Sequence, residues 1–333
     1  MDAIRVALIG CGGISRVHVD ALTKLEGVRL VSVCDLIEER ARERAAQAGG
    51  CAYTLNWQDY VADPNIDVVH ICTPHYLHAP MAIALLKAGK RVLTEKPMAS
   101  EVADAEEMIR VSDGRLGVVF QNRYNQSTQY IKQAVDDGRF GKLLGLRGSV
   151  FWHRTPEYYT SSGWRGAWAT EGGGVLINQS IHTLDLLLYL GGKAVSVKGS
   201  ASCDLLYDTI EVEDTAHCLL RFESGINASF YATNTYCADM PVEVEAKFER
   251  ATLHLFAETL LQVIDGKAEL ICSSAATGEK AYWGTGHAAL IRDFYKAVRE
   301  NRPFWIDGVS ALPALKALKG VYESSKTGKP VLL

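Results

Sequence analysis

The chain has 333 residues, 48% of them hydrophobic and 22% charged, with a formal net charge of −4. That length suits about two domains of ~150 residues, and a weakly acidic chain with no basic block argues against a protein that follows a nucleic-acid backbone. The first apolar run, residues 6–9, is far too short to span a bilayer and lacks the pattern of a secretory leader. Eight cysteines are scattered with no CxxC pair and no His/Cys cluster of zinc spacing, so a reduced, cytoplasmic protein without a metal site is expected.

Residues 4–9 are β-branched and apolar and read as a strand. Gly10, Cys11, Gly12, Gly13, Ile14 and Ser15 follow, and apolar residues then recur at helical spacing over 17–25. Strand, glycine turn and helix form the phosphate-binding arrangement of dinucleotide sites. Gly10 permits the tight turn, Gly12 lets backbone approach a pyrophosphate, and Gly13 and Ile14 lead into a helix N-terminus that favours the anion. Ser15 stands where a third glycine or alanine is usual, a mild departure. A second strand over 29–34 ends on Asp35, near the offset at which a carboxylate accepts hydrogen bonds from an adenosine ribose. Its other reading is the N-cap of the next helix. Leu36 and Ile37 follow it, with no arginine to hold a 2′-phosphate, which favours NAD over NADP.

Alternation continues with a helix over 41–48, a strand over 68–72 ending at Thr73, Pro74 and His75, and a helix over 81–88. A strand over 91–94 then ends at Glu95, Lys96 and Pro97, and a helix over 101–112 leads to a strand over 116–120 ending at Gln121. Strict alternation implies a doubly wound parallel sheet, an α/β Rossmann domain over residues 1–121. Its strand ends line up Gly10, Asp35, Thr73, Lys96 and Gln121 as a cofactor rim, with Pro74, His78 and Glu95 beside them. A lysine at such a strand end points into the crevice where these sheets bind ligands, and its ammonium can polarise an alcohol or carbonyl. Pro97 locks the turn after it and is open to a cis bond.

Beyond residue 120 the pattern changes. One helix over 130–137 precedes strand-like runs at 143–152, 194–203, 214–222, 226–236, 242–248, 251–256 and 260–263, several separated by hairpin turns. Helices over 287–300 and 310–326 close the chain. Consecutive strands imply an α+β domain over residues 122–333 with a largely antiparallel open sheet. Leu219, Phe222, Phe230, Tyr231 and Phe248 offer more apolar surface than few helices cover. A homodimer or homotetramer through the sheet is therefore expected.

The informative stretch of this half runs from Gly172, Gly173 and Gly174 to Asn178, His182 and Asp185. Read as one helix, it puts Asn178 and His182 on one face. Histidine shuttles protons near neutral pH, and an amide orients a hydroxyl without competing for the proton. The alternative is a core histidine; Asp185 reads as a helix residue paired elsewhere. Arg123, Trp152, His153, Tyr158, Tyr159, Trp164, Arg165, Tyr282 and His287 are candidates for the wall of a site shaped for a hydroxylated ring. Glu157, Glu171 and Asp214 could suggest a glycosidase pair, but nothing in the sequence fixes their separation.

Together, the glycine turn, Thr73-Pro74-His75, Glu95-Lys96-Pro97, Gln121-Asn122-Arg123, Trp164-Arg165, the Asn178…His182 stretch and His287…Asp293-Phe294-Tyr295 resemble one family over essentially the whole chain. It is the glucose–fructose oxidoreductase and inositol dehydrogenase family, written Gfo/Idh/MocA. The resemblance implies NAD(P)-dependent hydride exchange with a secondary alcohol or ketone of a sugar, sugar derivative or cyclitol. It implies Lys96 and His182 on the reacting oxygen with Asn178 helping, cofactor contacts that include Trp164 and Arg165, and substrate contacts at Arg123, Tyr124, Trp152, Tyr159 and His287. Many members carry aspartate where Asn178 stands. The Asn-x-x-x-His variant resembles the branch of nucleotide-sugar 3-dehydrogenases and glycoside-oxidising enzymes, so sugar C3 is the first choice. A cyclitol dehydrogenase, an NAD-recycling glycoside-cleaving enzyme and a catalytically silent NAD sensor are the alternatives. His182 would take the hydroxyl proton while Lys96 stabilises alkoxide; Lys96 as the base would need its ordinary pKa of ~10.4 lowered. An amide that only orients substrate would tolerate Asn178→Asp.

Overall fold

The computed structural model describes residues 3–257, 259–273 and 286–333, so Tyr282 lies outside the described residues. The chain divides into two compact units, Met1–Phe120 with His287–Leu312 and Gln121–Gly286 with Pro313–Leu333.

The first unit alternates strand and helix: β1 (Ile4–Ile9), α1 (Ser15–Leu22), β2 (Val28–Cys34), α2 (Glu38–Gln47), β3 (Ala52–Thr54), α3 (Asp59–Ala62), β4 (Val68–Ile71), α4 (His75–Lys87), β5 (Arg91–Thr94), α5 (Val102–Ser112) and β6 (Leu116–Val118). The six strands are parallel in the order β3-β2-β1-β4-β5-β6. That order reverses between β1 and β4, and ligands of doubly wound sheets bind beyond the strand ends at such a reversal. All four residues of β4 are buried, as a strand covered on both faces requires. The helix after β4 begins earlier than its sequence suggests. The spacing predicts a helix over 81–88, yet α4 starts at His75 with Pro80 inside it. His75 and His78 therefore lie in a helical first turn, not a loop.

The second unit contains α6 (Gln126–Asp137), β7 (Leu143–Phe151), α7 (Pro156–Thr160), α8 (Trp168–Glu171), α9 (Ile181–Gly191), β8 (Ala194–Ser202), β9 (Thr215–Phe222), β10 (Asn227–Thr233), β11 (Glu243–Phe248), β12 (Thr252–Phe256), β13 (Thr259–Ile264) and β14 (Lys267–Ser273). Then come α10 (Gly286–Arg299), α11 (Gly308–Thr327) and β15 (Val331–Leu332). Nine strands form one sheet, β14-β13-β12-β11-β7-β10-β9-β8-β15, antiparallel except where β10 runs alongside β7. Helix α9 lies on one face: Gly148 of β7 leaves room for Thr183 and Leu187, which an added Cβ would meet at 3.0 and 3.2 Å.

Two sequence expectations are corrected here. The single cut at residue 121 fails because His287–Leu312 belongs to the first unit. There Val118 N–H donates to Ile306 O, and Gly117 admits the Phe294 ring, which a Cβ would meet at 2.9 Å. The apolar sheet patch is also smaller than expected. Strand alternation turns Phe222, Phe230 and Phe248 into the core, and only Leu219 and Tyr231 of that set stay exposed. No helix among the described residues is long and apolar enough to cross a membrane.

Candidate active site

The first unit builds a nucleotide turn. Gly10 has φ +90°, and a Cβ there would come within 2.6 Å of the Cys72 carbonyl, so only glycine fits. Gly12 faces open space, with nothing within 4 Å of an added Cβ. That is the room a pyrophosphate needs beside the N-terminus of α1. Gly13 is exposed and Ile14 half-buried at this turn, and Ser15 Oγ donates to Gly12 O at 2.6 Å. Asp35, half-buried at the end of β2, accepts Cys11 N–H at 2.8 Å and Ile37 N–H at 2.9 Å. It braces the turn, while the residue preceding α2 is Ile37, so Asp35 is no N-cap. Arg44, buried beneath the turn, donates to Cys11 O at 3.2 Å; nothing in its sequence context announced it. These residues fit a dinucleotide. With Asp35 repelling a 2′-phosphate and Leu36 beside it 81% exposed, NAD should bind at least tenfold tighter than NADP, about 1.4 kcal/mol. Calorimetry with the preference reversed would overturn this.

Thr73 and Pro74 are half-buried beyond β4, at the strand end where they were expected. His78 is corrected from a cofactor contact to an internal pin. It is buried, with Nε2 2.8 Å from Thr73 O and Nδ1 2.7 Å from Pro97 O. The Lys96–Pro97 bond is cis. From Val92 to Ala99 every residue is buried except Lys96, which alone reaches solvent. Glu95 is likewise corrected: its carboxylate turns inward, Oε1 lying 2.9 Å from His18 Nε2. His18 Nδ1 lies 2.8 Å from His70 Nδ1, and His70 Nε2 lies 2.9 Å from Tyr295 OH. Burial alone would raise the Glu95 pKa, but the His18 hydrogen bond and the charges of His18, His287 and Lys96 outweigh it and hold it at about 2. An ionised carboxylate thus stays locked behind Lys96. His287 is buried too, and burial pushes it down to about 4. His70 had a signal in the sequence: a histidine inside the apolar run of β4 must find partners. His18 had none.

The second unit carries the other group of candidates. From Glu171 to Leu188 every residue is buried except Asn178 and His182. They do not share a helix: α9 starts at Ile181, and Asn178 sits in the preceding turn, its N–H donating to Gly174 O at 3.0 Å. Gln121, expected on the cofactor rim, instead places its amide Nε2 3.3 Å from His182 Nε2. An amide nitrogen can only donate, so Gln121 orients the imidazole. Asn178 Nδ2 donates to Glu171 Oε1. Glu213 holds the glycine turn from inside, accepting Gly174 N–H, Leu176 N–H and the Tyr322 hydroxyl.

Three expected substrate contacts are instead engaged within the protein. Arg123 is buried and pairs with Asp185, Nε to Oδ2 at 2.8 Å and Nη2 to Oδ1 at 2.5 Å. Trp152 is buried with its Nε1 on Met240 O at 3.1 Å. Tyr159 packs with Leu206, Ile210 and Val212, its hydroxyl accepting Asn234 Nδ2–H at 2.9 Å. Tyr124, Trp164 and Arg165 stay half-buried, and the Arg165 guanidinium lies over Tyr158 (4.5 Å) and Trp164 (4.8 Å). Asp214 accepts three backbone N–H groups from Asp204, Leu205 and Leu206, which makes it a loop anchor. Among the described residues, no three His, Cys, Asp or Glu side chains group as a metal site.

Comparison with known proteins agrees with this geometry. Residues 4–123 match the model of the GFO/IDH/MocA oxidoreductase family, NAD-binding Rossmann fold, and residues 128–254 match the GFO/IDH/MocA C-terminal domain. A myo-inositol 2-dehydrogenase of Thermotoga maritima is 30% identical over 67% of the chain and 66% of its own length. A 1,5-anhydro-D-fructose reductase of Ensifer adhaerens is 30% identical over 72% of each. The WlbA dehydrogenase of Bordetella pertussis, solved with NADH and UDP-GlcNAcA, superposes with a TM-score of 0.87 at 29% identity, covering 100% of this chain and 98% of that one. The aligned stretch thus spans just under two thirds of the Thermotoga relative and nearly all of the Bordetella structure. The chain belongs to the GFO/IDH/MocA family of oxidoreductases, with its NAD-binding Rossmann fold.

Proposed function

We propose that this protein oxidises or reduces a secondary alcohol or ketone of a sugar derivative, at C3 of a pyranoside or nucleotide sugar. The observation that supports this most is selective exposure. Two otherwise buried segments each release only polar reactive groups, Lys96 in the first unit and Asn178 with His182 in the second. NAD, when bound, exchanges the hydride. The chain's own residues handle the oxygen and its proton: Lys96 stabilises negative charge on the oxygen, and His182 takes or returns the hydroxyl proton. Asn178 orients the substrate, and Arg165, Trp164 and Tyr124 are the remaining candidates for its surroundings. The likeness to a dehydrogenase solved with UDP-GlcNAcA favours the nucleotide-sugar form; the likeness to an inositol dehydrogenase supports the second reading, a cyclitol.

NADH formation with UDP-linked uronic acids, alkyl pyranosides, 1,5-anhydro sugars and myo-inositol tests both. Turnover of inositol alone selects the second reading, and turnover of none overturns both. We further place the protein in a reducing cytoplasm, which suits the buried thiols of Cys11 and Cys34, pushed up to about 12 by burial. It should work as a homodimer or homotetramer joined through the open sheet face around Leu219 and Tyr231. Light scattering at micromolar concentration should give a multiple of 36.5 kDa, and a monodisperse monomer would refute this.

A further inference from the structure

The second unit buries a carboxylate that the proposed reaction does not use. Glu171, the last residue of α8, is 0% exposed. Its Oε2 accepts Gly166 N–H at 2.6 Å and its Oε1 accepts Asn178 Nδ2–H at 2.5 Å. An amide whose nitrogen is tied inward turns its oxygen the other way, and Asn178 is one of the two residues of this stretch that solvent reaches. We propose that Glu171 is a positioning residue that fixes which end of the Asn178 amide meets the substrate, presenting Oδ1 as an acceptor for a sugar hydroxyl. This rests on the reading of Asn178 and His182 as substrate-facing.

The need for such a residue follows from amide chemistry. Donor and acceptor ends of an asparagine have the same shape, so a half-turn of the amide exchanges them. An ionised carboxylate only accepts and therefore permits one orientation; a protonated carboxyl can also donate and permits both. Burial raises Glu171 to about 7, opposed by the Gly166 and Asn178 hydrogen bonds and by Arg165, and aided by Glu213. Tyr159 and Tyr322 are the other titratable groups whose charge state it feels. The orienting carboxylate therefore forms as pH rises through about 7 and is lost below it. Its proton is held more tightly in the fold than at the ordinary value of 4.5. Glu171 therefore favours folding in acid, and that contribution disappears as pH rises from 4.5 through about 7.

A reversal of the pair tests the assignment. Asn178→Asp sets a second carboxylate against Glu171, whereas Glu171→Gln supplies an amide able to donate to an aspartate. N178D should lower the melting temperature above neutral pH, and N178D/E171Q should recover most of the loss; strictly additive losses would overturn the proposal. Should E171Q alone fail to accumulate, recovery of folded double variant supports the pair, and failure of both overturns it. The kinetic arm separates positioning from mere stability. With the sugar that wild type oxidises, E171Q should lower kcat about tenfold, the scale of one misdirected hydrogen bond. It should also flatten the pH dependence near neutrality while NAD affinity stays unchanged. An unaltered profile in E171Q refutes the inference alone, whereas absence of any wild-type turnover refutes the functional reading beneath it.

Discussion

Replacing His182 or Lys96 by alanine is expected to lower kcat by ~10²–10⁴-fold, the usual range for a lost acid–base group, with NAD affinity nearly intact. The affinity prediction follows from location. The glycine turn and Asp35 that would hold the dinucleotide lie at the ends of β1 and β2, whereas His182 belongs to the second unit altogether. Lys96 follows β5, backed by an ionised Glu95 that keeps a negative charge behind it. On the proposed function the double variant should be hardly worse than either single one, because effects of groups that act in one step are not additive. Initial rates at saturating sugar, with NADH affinity from fluorescence titration, decide the matter. Unchanged activity in the double variant would turn the protein into an NAD-binding sensor.

The second large effect is on stability. Arg123→Ala or Asp185→Ala should each cost ~3–5 kcal/mol, because either change strands a charge in the interior. Both side chains are at most 5% exposed. Burial raises the Asp185 pKa and the Arg123 charge pulls it back, so the carboxylate depends on its partner to stay ionised. Urea unfolding measures the loss. An apolar pair of similar volume, Arg123→Met with Asp185→Leu, should recover most of it. Folded Arg123→Ala should retain its KM for sugar. A stable variant with a greatly raised KM would restore Arg123 to the substrate wall.

Local patterns account for what was legible in the sequence. The glycine turn, Asp35, the strand ending at Lys96 and the run of strands after residue 143 are properties of short windows, and the structure places each as its periodicity suggests. What stayed hidden depends on pairs far apart in the chain. Arg123 and Asp185 are 62 positions apart, and Glu95 and His18 are 77 apart. An arginine beside a motif looks like a ligand contact until its partner is known. Spacing suggested that Asn178 and His182 share a helix face, but α9 starts only at Ile181 and Asn178 lies in the turn before it. Asn178→Asp sets a second carboxylate against Glu171, so its tolerance is expected to hold while Glu171 is protonated and to fail as pH rises above about 7.

The way the first unit is closed has a consequence for biosynthesis. Its sheet is written in the first 118 residues, yet β6 takes a hydrogen bond partner from Ile306, Gly117 is capped by Phe294, and the His18–His70 chain ends on Tyr295. A ribosome adding residues from the N-terminus thus releases the nucleotide domain long before it supplies the helix that seals it. Meanwhile the second unit's sheet has already emerged in full except for β15. Neither unit is complete until its C-terminal segment arrives, His287–Leu312 for the first and Pro313–Leu333 for the second. A fragment cut after residue 121 would carry the whole nucleotide turn while exposing the floor that α10 covers, so the domain that looks most separable on paper is the one least able to leave its chain.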